Sequence, residues 1–336
     1  MRIAVDAFGG DNAPDEIVKG ALCAAKTLSD EIILVGDEAK LKALLEQADV
    51  TAGNISIRHA SEVIATGEPP VESIRKKKDS SLVVALNLVK NGEADAVVSA
   101  GNTGSYLAGA FRYVGRMKGI ARPALTAIMP TVTNPCVILD VGANADCRPQ
   151  HLVQFAHMGA IYAQQVLHIE NPRVALLNIG AEEEKGNSLT KETYGLLKEE
   201  NLNFIGNIEP RDVPYGMADV IVCDGFTGNV VIKLIEGTAG ALFKMLKGVF
   251  YKSLSTKLAA SVLKPGLKTV KAKMDYSEYG GVPLLGLNGV VFKAHGSSDA
   301  KAFCNAILAA SEYLASGVNE KIRNTLTTTA TVSEEE

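Results

Sequence analysis

Short apolar runs that alternate with longer amphipathic stretches restrict the folds open to this chain. The runs are rich in β-branched residues and show little polar alternation, which is typical of strands covered on both faces. The predicted strands are Ile3–Asp6, Ile32–Val35, Ala96–Ser99, Leu125–Met129, Val137–Asp140, Val174–Ile179, Val220–Cys223 and Val290–Phe292. The predicted helices are Ala13–Leu28, Ser81–Lys90, Gly104–Met117, His151–His168 and Gly228–Phe250. This βαβα order predicts a three-layer αβα protein with a mostly parallel sheet.

Glycine and polar residues follow five of the predicted strands. The loops are Asp6–Asp11, Ser99–Gly104, Asp140–Asn144, Asn178–Gly180 and Asp224–Asn229. Ligands of open α/β sheets bind beyond the carboxyl ends of the strands, so the five loops predict one shared cleft. Glycine also serves in tight turns, and Asn, Asp, Ser and Thr also cap helices, so each loop alone has a structural alternative.

The loop Ser99–Gly104, SAGNTG, is the most distinctive of the five. It has neither the GxGxxG nor the GxxxxGK[ST] spacing of the familiar nucleotide loops. Backbone N–H groups in a glycine-rich turn, with Asn102, Thr103 and Ser105 nearby, suit the oxygens of a phosphate. Lys185, in the loop AEEEKGN after another strand, is the candidate cation, although a lysine in an acidic run is also typical of a solvated surface.

Composition narrows the class of protein further. The 336 residues carry a formal net charge of −4, which argues against broad nucleic-acid binding. The cysteines at positions 23, 136, 147, 223 and 304 form no CxxC pair, so we expect small core residues in a reducing compartment. No charged and apolar leader opens the sequence, and no run approaches about 18 apolar residues, so we expect a cytoplasmic protein that does not span a membrane.

Familiar catalytic motifs are missing from the sequence. It has no GxSxG, no HExxH, and no His, Cys and carboxylate cluster at metal-ligand spacing, so we expect neither a metal nor a cofactor. Of its five histidines, only His295, in AHGSS, has site-like neighbours. Phosphate attacking a thioester brings its own nucleophile, and the protein then needs only positioning and oxyanion stabilisation by N–H groups, amides and one lysine.

Six segments in order resemble one family. They are DAFGGDNAP at Asp6, SAGNTGSYLAGA at Ser99, DVGAN at Asp140, LNIGAEEEKGN at Leu177, VCDGFTGNVVIK at Val222 and KAHGSSD at Lys293. They are similar to the bacterial phosphate acyltransferase family, the acyl-ACP:phosphate acyltransferases of phospholipid synthesis, over roughly residues 1 to 320. The resemblance implies transfer of a long-chain fatty acyl group from acyl carrier protein to inorganic phosphate, which gives acyl phosphate.

The same resemblance implies a fold like those of isopropylmalate dehydrogenases and phosphotransacetylases. It also implies a homodimer that associates peripherally with the inner face of the cell membrane, where a membrane acyltransferase uses the product. Lys185 and Asn229 are the predicted catalytic residues, with Lys185 binding phosphate and neutralising its charge and Asn229 bonding to the thioester oxyanion. The predicted phosphate and acyl-phosphate ligands are Ser99, Gly101, Asn102, Thr103, Gly104, Asn144, Asn178, His295, Gly296 and Ser297. Other predicted cleft-lining residues are Asp6, Gly9, Gly10, Asp224 and Gly225.

The predicted domains are residues 1–120 with 292–325, and residues 121–291, followed by a flexible tail at 326–336. In the second domain the segment 250–268, FYKSLSTKLAASVLKPGLK, predicts a protruding amphipathic helix that Pro265-Gly266 stops. The helix suits a membrane interface, and packing on the protein's own core is the alternative. Its predicted membrane contacts are Leu254, Leu258, Ala259 and Val262.

Three other functions stay open. A phosphotransacetylase that uses short acyl-CoA shares the chemistry, a metal-dependent hydroxy-acid dehydrogenase shares the fold, and a non-catalytic regulator shares the anion-binding loops. The dehydrogenase would need clustered metal-binding carboxylates, and the regulator leaves Lys185 and Asn229 without a role.

Overall fold

A computed structural model describes residues 1–48, 53–274 and 280–332, in which strands and helices alternate. The strands are β1 Arg2–Asp6, β2 Glu31–Gly36, β3 Ile55–His59, β4 Ala96–Ser99, β5 Ala124–Met129, β6 Cys136–Leu139, β7 Val174–Leu177, β8 Phe204–Ile208, β9 Val220–Val222, β10 Gly281–Leu285 and β11 Val290–Ala294. The helices are α1 Asp15–Ala25, α2 Glu38–Gln47, α3 Pro70–Lys76, α4 Ser81–Lys90, α5 Thr103–Gly109, α6 Pro149–Gln165, α7 Ser188–Glu199, α8 Gly225–Phe250, α9 Leu254–Met274, α10 Ala300–Ser316 and α11 Val318–Val332. A π-helical stretch, Ala110–Val114, extends α5, and a 3-10 helix spans Pro210–Tyr215.

The strands form one sheet in the order β3-β2-β1-β4-β11-β10-β5-β6-β9-β7-β8. The first five strands in this order are parallel to one another, and so are the last four. Between these groups β10 is antiparallel to β11 and to β5, and β5 is antiparallel to β6. Three reversals leave the two parallel groups pointing in opposite directions, so their carboxyl ends lie along opposite rims of the sheet.

Apolar side chains pack on both faces of the sheet, because successive residues of a strand point to opposite sides. On one face Ile3 and Val5 of β1 join a core that includes Phe155 of α6 and Phe303 of α10. On the other face Ala4 joins a core that includes residues of α4, α5 and α8. The predicted three-layer αβα architecture with a mostly parallel sheet is confirmed.

The strands that the sequence predicts are all present, but β3, β8 and β10 are not among them. β3 and β8 occupy the two outer positions of the sheet and are only partly covered, so their sequences lack a continuous apolar run. β10 contains Pro283, which argues against a strand when only the sequence is considered.

The predicted helix at 250–268 has different bounds in the structure. α8 continues to Phe250, and α9 begins at Leu254 and runs through Pro265 to Met274, so Pro265-Gly266 does not stop it. The break between them is fixed by Ser253, whose Oγ accepts the N–H of Thr256 at 3.2 Å. A proline removes one backbone hydrogen bond, and here the helix-forming residues around it continue the helix. Within the described residues, no helix combines the length and the apolar character needed to cross a membrane.

Cys23 on α1 and Cys304 on α10 form a disulfide with a Cα–Cα distance of 5.8 Å. The expectation that all the cysteines are reduced core residues is therefore wrong for this pair, and Cys23 is also exposed. The two helices are in close contact, since a Cβ at Gly20 of α1 would lie 2.9 Å from the carbonyl oxygen of Ala300. Packing of distant helices, which spacing along the chain does not reveal, brings the two thiols together.

The segment predicted as a flexible tail begins inside α11. Leu326 is buried, and the helix continues to Val332, whereas residues 333–336 of the prediction lie outside the described part of the chain. The division into two domains stays a prediction.

Candidate functional site

The first cluster of predicted site residues lies where β1, β4 and β11 end. Lys293 is opposite Ser99 in the register of β11 and β4, and Val5 is opposite Val98 in the register of β1 and β4. Asp6, Ser99 and Lys293 therefore stand in one row across three adjacent strands, on one face of the sheet. All three are buried, at 1%, 0% and 8% exposure.

Ser99 connects this row to the loop that follows β4. Its hydroxyl donates to Asp6 Oδ2 at 2.6 Å, and the Gly101 N–H donates to Ser99 Oγ at 3.0 Å. Asp6 Oδ1 has no hydrogen-bond partner among the described residues. Burial raises the pKa of Asp6, while the nearby hydroxyl of Ser81 and the hydrogen bond from Ser99 act in the opposite direction. Asp6 is therefore a buried acid with one unused oxygen.

Close backbone packing accounts for the glycines of DAFGGD. A Cβ at Gly9 would lie 2.2 Å from Asp6 Oδ2 and 2.9 Å from the Gly101 nitrogen. The Asp11 N–H donates to the carbonyl oxygen of Gly296 at 2.8 Å. The loops after β1, β4 and β11 are therefore in direct contact, and only glycine fits between the first two.

The start of α5 shapes the loop SAGNTG. Asn102 caps this helix: its Oδ1 accepts the N–H of Ser105 at 3.0 Å, and its Nδ2 donates to the carbonyl oxygen of Thr66 at 2.8 Å. A Cβ at Gly104 would lie 2.8 Å from Pro70 Cγ. The Asn102 side chain therefore caps a helix, which is the structural alternative to ligand binding for this loop.

The second cluster lies where β6, β7 and β9 end, with the buried Asp140 at its centre. Asp140 Oδ1 accepts the backbone N–H groups of Leu125, Gly142 and Ala143 at 3.0–3.1 Å. Its Oδ2 accepts the backbone and side-chain N–H groups of Asn144 at 2.7 and 2.8 Å. A carboxylate with five N–H donors fixes the loop after β6, and Asn144 donates two of these five hydrogen bonds.

Asn178 holds the loop that carries Lys185. Its Nδ2 donates to the carbonyl oxygen of Lys185 at 3.1 Å, and its Oδ1 accepts the N–H of Ile179 at 2.9 Å. Gly186 has a φ of 93°, and a Cβ there would lie 2.4 Å from Asn178 Oδ1. The backbone of Lys185 is thus fixed while its side chain is exposed.

The third loop of this cluster starts α8. Asp224 is the cap, with Oδ1 accepting the Thr227 N–H at 2.9 Å and Oδ2 accepting the Thr227 hydroxyl at 2.7 Å. A Cβ at Gly225 would lie 2.7 Å from the carbonyl oxygen of Asn144, so the helix start packs on the loop after β6. Because β7 and β9 are adjacent parallel strands, the loops that carry Lys185 and Asn229 are neighbours.

The predicted residues do not all lie at one rim. Asp6, Ser99 and His295 follow strands of the first parallel group, whereas Asp140, Asn178 and Asp224 follow strands that run the opposite way. The loops leave the sheet at opposite rims because three antiparallel pairings, β11 with β10, β10 with β5 and β5 with β6, separate the two parallel groups, and the single shared cleft stays a prediction. The first cluster holds Asp6, Gly9, Gly10, Ser99, Gly101, Asn102, Thr103, Gly104, His295, Gly296 and Ser297. The second holds Asn144, Asn178, Lys185, Asp224, Gly225 and Asn229.

Helix α8 runs from the second cluster toward the first. Asn229 is exposed near its start, with Nδ2 3.7 Å from the position of a Cβ at Gly142. Lys233 lies one turn further on the same face. The pKa of His295 is lowered by burial and by the charges of Lys293 and Lys233. The face of α8 that carries Asn229 therefore approaches the loop after β11.

Lys293 is the residue of this site that the sequence does not single out. Burial lowers the pKa of Lys293 to about 8, and the charges of Asp6 and Asp11 oppose that change. The available signal is a lysine near the end of the otherwise apolar strand VVFKA, two positions before His295. The described residues contain no group of three or more His, Cys, Asp or Glu side chains that could hold a metal ion.

The predicted membrane contacts lie on α9. Leu258 is 71% exposed and Val262 is 79% exposed, and Ala259 is exposed as well. The side chain of Leu254 lies outside the described part of the structure.

Comparison with known proteins relates this arrangement to acyl transfer. Residues 1–321 match the family described as fatty acid synthesis protein. A phosphate acyltransferase from Desulfitobacterium hafniense is 54% identical over 327 residues, which cover 97% of this chain and 98% of the relative. The predicted family is confirmed.

Two solved structures share the fold. A phosphotransacetylase from Streptococcus pyogenes superposes with a TM-score of 0.63 at 18% identity and covers 94% of each chain. A branched-chain phosphotransacylase from Enterococcus faecalis gives a TM-score of 0.56 at 15% identity, over 94% of this chain and 99% of that one. By its match over nearly the whole sequence, the chain belongs to the fatty acid synthesis protein family that includes the phosphate acyltransferases.

Proposed function

We propose that the protein is a phosphate acyltransferase that moves a long-chain fatty acyl group from acyl carrier protein to inorganic phosphate. The acyl phosphate would then serve phospholipid synthesis. The observation that carries this proposal is the 54% identity, over nearly the full length of both chains, to a protein named phosphate acyltransferase. The geometry supports it, because glycine-rich strand-end loops, an exposed lysine and an exposed amide suit an anionic acceptor and a developing oxyanion.

In the proposed reaction a phosphate oxygen attacks the thioester carbonyl carbon. A carbon–oxygen bond forms, the carbon–sulfur bond breaks, and the electron pair leaves with the carrier's thiolate. Lys185 binds phosphate and neutralises its charge, and Asn229 donates a hydrogen bond to the carbonyl oxygen as it becomes an oxyanion. Their loops follow adjacent parallel strands, and both side chains are exposed, which supports joint action on one substrate pair.

The test compares three acyl donors with the full-length protein and inorganic phosphate. Long-chain acyl-ACP, long-chain acyl-CoA and acetyl-CoA are supplied separately, and acyl phosphate is trapped as the hydroxamate. We expect the highest kcat/KM with long-chain acyl-ACP. Preference for acetyl-CoA would identify a phosphotransacetylase instead, and no product from any donor would favour the non-catalytic regulator.

We propose further that α9 rests on the cytoplasmic surface of the cell membrane through the predicted contacts Leu254, Leu258, Ala259 and Val262. The exposure of Leu258 and Val262 supports this, since large apolar side chains in water are unfavourable unless another surface covers them. Lysines 257 and 264 of the same helix suit anionic lipid headgroups. Peripheral attachment would deliver acyl phosphate beside a membrane acyltransferase that consumes it.

We also propose a homodimer. Leu242, Met245 and Val249 lie on one side of α8 and are 47%, 63% and 59% exposed. Their spacing of three and four residues gives a continuous apolar stripe, which a second copy of the chain would cover.

A further inference from the structure

One part of the chain is basic although the protein as a whole is acidic. The formal net charge of the 336 residues is −4, yet the sequence from 96 to 139 contains no Asp or Glu. The basic residues of this stretch are Arg112, Arg116, Lys118 and Arg122. Arg148 follows as the N-cap of α6. The positive charge is therefore concentrated in the segment that leads into β5 and α6.

A hydrogen bond between this segment and α6 brings Arg122 to the start of the helix. The N–H of Ala121, the preceding residue, donates to Gln154 Oε1 at 2.8 Å. His151 lies three residues before Gln154 and therefore on the same side of α6. Burial lowers the pKa of His151, and the charges of Arg122 and Arg148 lower it further. Two arginines and a histidine thus gather at one end of α6.

Arg116 joins this group, because its Nη1 donates to the carbonyl oxygen of Ala121 at 2.6 Å. We call Arg116, Arg122, Arg148 and His151 the basic patch. Its three arginines are exposed, and no Asp or Glu oxygen of the described residues lies within 4.0 Å of their guanidinium groups. The arginines at positions 2, 58, 173 and 211, in contrast, each form an ion pair with a carboxylate. The patch can therefore offer its charge to the carboxylates of another molecule.

The carboxylates nearest to the basic patch do not cancel its charge at the surface. Asp140 is buried and accepts five N–H groups, and Asp224 caps α8 by accepting two hydrogen bonds from Thr227. Asp146, two residues before Arg148, is exposed. Three exposed arginines thus face one exposed carboxylate in the loops that form the patch.

The basic patch adjoins the second cluster. Asn144 Nδ2 donates to the carbonyl oxygen of Pro123, the residue after Arg122, at 2.8 Å. The carbonyl oxygen of Asn144 accepts the N–H of Gly225, also at 2.8 Å. Gly225 begins the helix that carries Asn229. Two hydrogen bonds therefore connect the patch to the start of that helix.

We propose that the basic patch docks the acyl carrier protein through a carboxylate-rich surface of that carrier. This inference rests on the proposed function and refines it, because it names the face on which the acyl donor arrives. A carrier on this face would present its thioester to the neighbouring loops of Lys185 and Asn229. Opposite charges on the two surfaces would also speed their association. The net negative charge of the whole chain opposes a nucleic acid as the partner.

The first experiment measures binding of the full-length protein to acyl carrier protein that holds a long-chain acyl group through a stable amide. We expect Arg122→Glu and Arg148→Glu each to weaken binding roughly 10-fold, because attraction becomes repulsion. Arg122→Lys keeps the charge and should keep most of the affinity. Lys26→Glu makes the same change of charge at an exposed lysine of α1 and should bind normally. Wild-type affinity in both patch variants would overturn the inference.

Arg148→Glu is expected to fold, because an acidic residue at the start of a helix suits the helix dipole. In steady-state kinetics this variant should raise the KM for acyl-ACP roughly 10-fold and leave the KM for phosphate unchanged. A raised KM for phosphate alone would mean that the patch binds a small anion, and the inference would fall. It would also fall if the variant left vesicles of anionic lipid but bound the carrier normally, since the patch would then contact the membrane.

The second experiment needs no variant. Raising the ionic strength from about 0.01 to about 0.15 M shortens the screening length from about 30 to about 8 Å. Association of the wild-type protein with the same carrier should therefore slow roughly 10-fold, measured by stopped-flow fluorescence. An association rate that does not depend on salt would contradict the inference even if the variants failed to fold.

The inference and the proposed function can fail separately. If acyl phosphate forms from acyl-ACP but the patch variants bind the carrier normally, the function stands and the docking face is wrong. If no acyl phosphate forms but carrier binding depends on Arg122 and Arg148, the docking face stands and the function is wrong.

Discussion

The two clusters differ in the exposure of the side chains that are expected to act on the substrates. In the first, Asp6, Ser99 and Lys293 are buried in a row of strand ends. In the second, buried Asp140 and Asn178 hold the backbone while Lys185 and Asn229 remain exposed. Substitutions in the exposed pair should therefore affect turnover, and substitutions in the buried row should also affect folding.

Lys185→Ala tests the exposed pair. Loss of one electrostatic donor at a reacting centre typically costs about 2.7 to 4 kcal/mol, so kcat should fall roughly 100- to 1000-fold. The melting temperature should not change, because the side chain is exposed. Lys191→Ala, which removes an exposed lysine of α7, should retain full activity. Equal kcat in the two variants would remove Lys185 from the mechanism.

Lys293 should make stability rise with pH. Its folded pKa of about 8 lies below the ordinary value of 10.5, so between these two values the unfolded chain binds more protons. Below about pH 8 the charged Lys293 stays buried in the folded protein, and this lowers the free energy of unfolding by its full amount, on the order of 3 kcal/mol. We expect Lys293→Met to be more stable than wild type to urea at pH 7, with a smaller difference at pH 9.5. A difference that does not shrink would mean that Lys293 keeps an ordinary pKa.

At the scale of elements, the sequence predicts the features that depend on residues close together in the chain. The continuous apolar runs identify the central strands, and glycine and Asx residues identify the loops after them. The direction of β6, β7 and β9 relative to β1 cannot be predicted in this way. It depends on three antiparallel pairings, β11 with β10, β10 with β5 and β5 with β6, and no local sequence pattern distinguishes these strands from parallel ones. The burial of Lys293 is hidden for the same reason, since it depends on the strand opposite.

Leu258→Glu tests the surface of α9. Adding a charge to the proposed lipid-facing side should release the protein from vesicles that contain anionic lipid, because each buried apolar side chain contributes up to about 1.5 to 3 kcal/mol. Activity on soluble acyl-ACP should be nearly unchanged. Met217→Glu makes a similar change at another exposed apolar residue, 54% exposed, and should stay bound. Unfolding of Leu258→Glu, seen by circular dichroism, would show instead that the residue packs in the core.

At the scale of the whole molecule, the exposed stripe on α8 predicts self-association. Met245→Glu should convert a dimer to a monomer in light scattering, because a charge would be buried at the centre of the apolar contact. Lys244→Glu changes the charge of the adjacent exposed position and should leave the dimer intact. A wild-type protein that is monomeric at micromolar concentration would contradict the proposal.

The place of β11 in the sheet has a consequence for synthesis on the ribosome. β5 to β9 come from one continuous stretch, so their part of the sheet can pair soon after residue 222 has emerged. β4, in contrast, waits for β11, residues 290–294, to fill the position beside it. Ser99 gains Lys293 as its neighbour only after nearly nine-tenths of the polypeptide has been made. In a nascent chain the strands that position the loops of the second cluster can therefore pair early. The first cluster lacks its buried lysine until translation is almost complete.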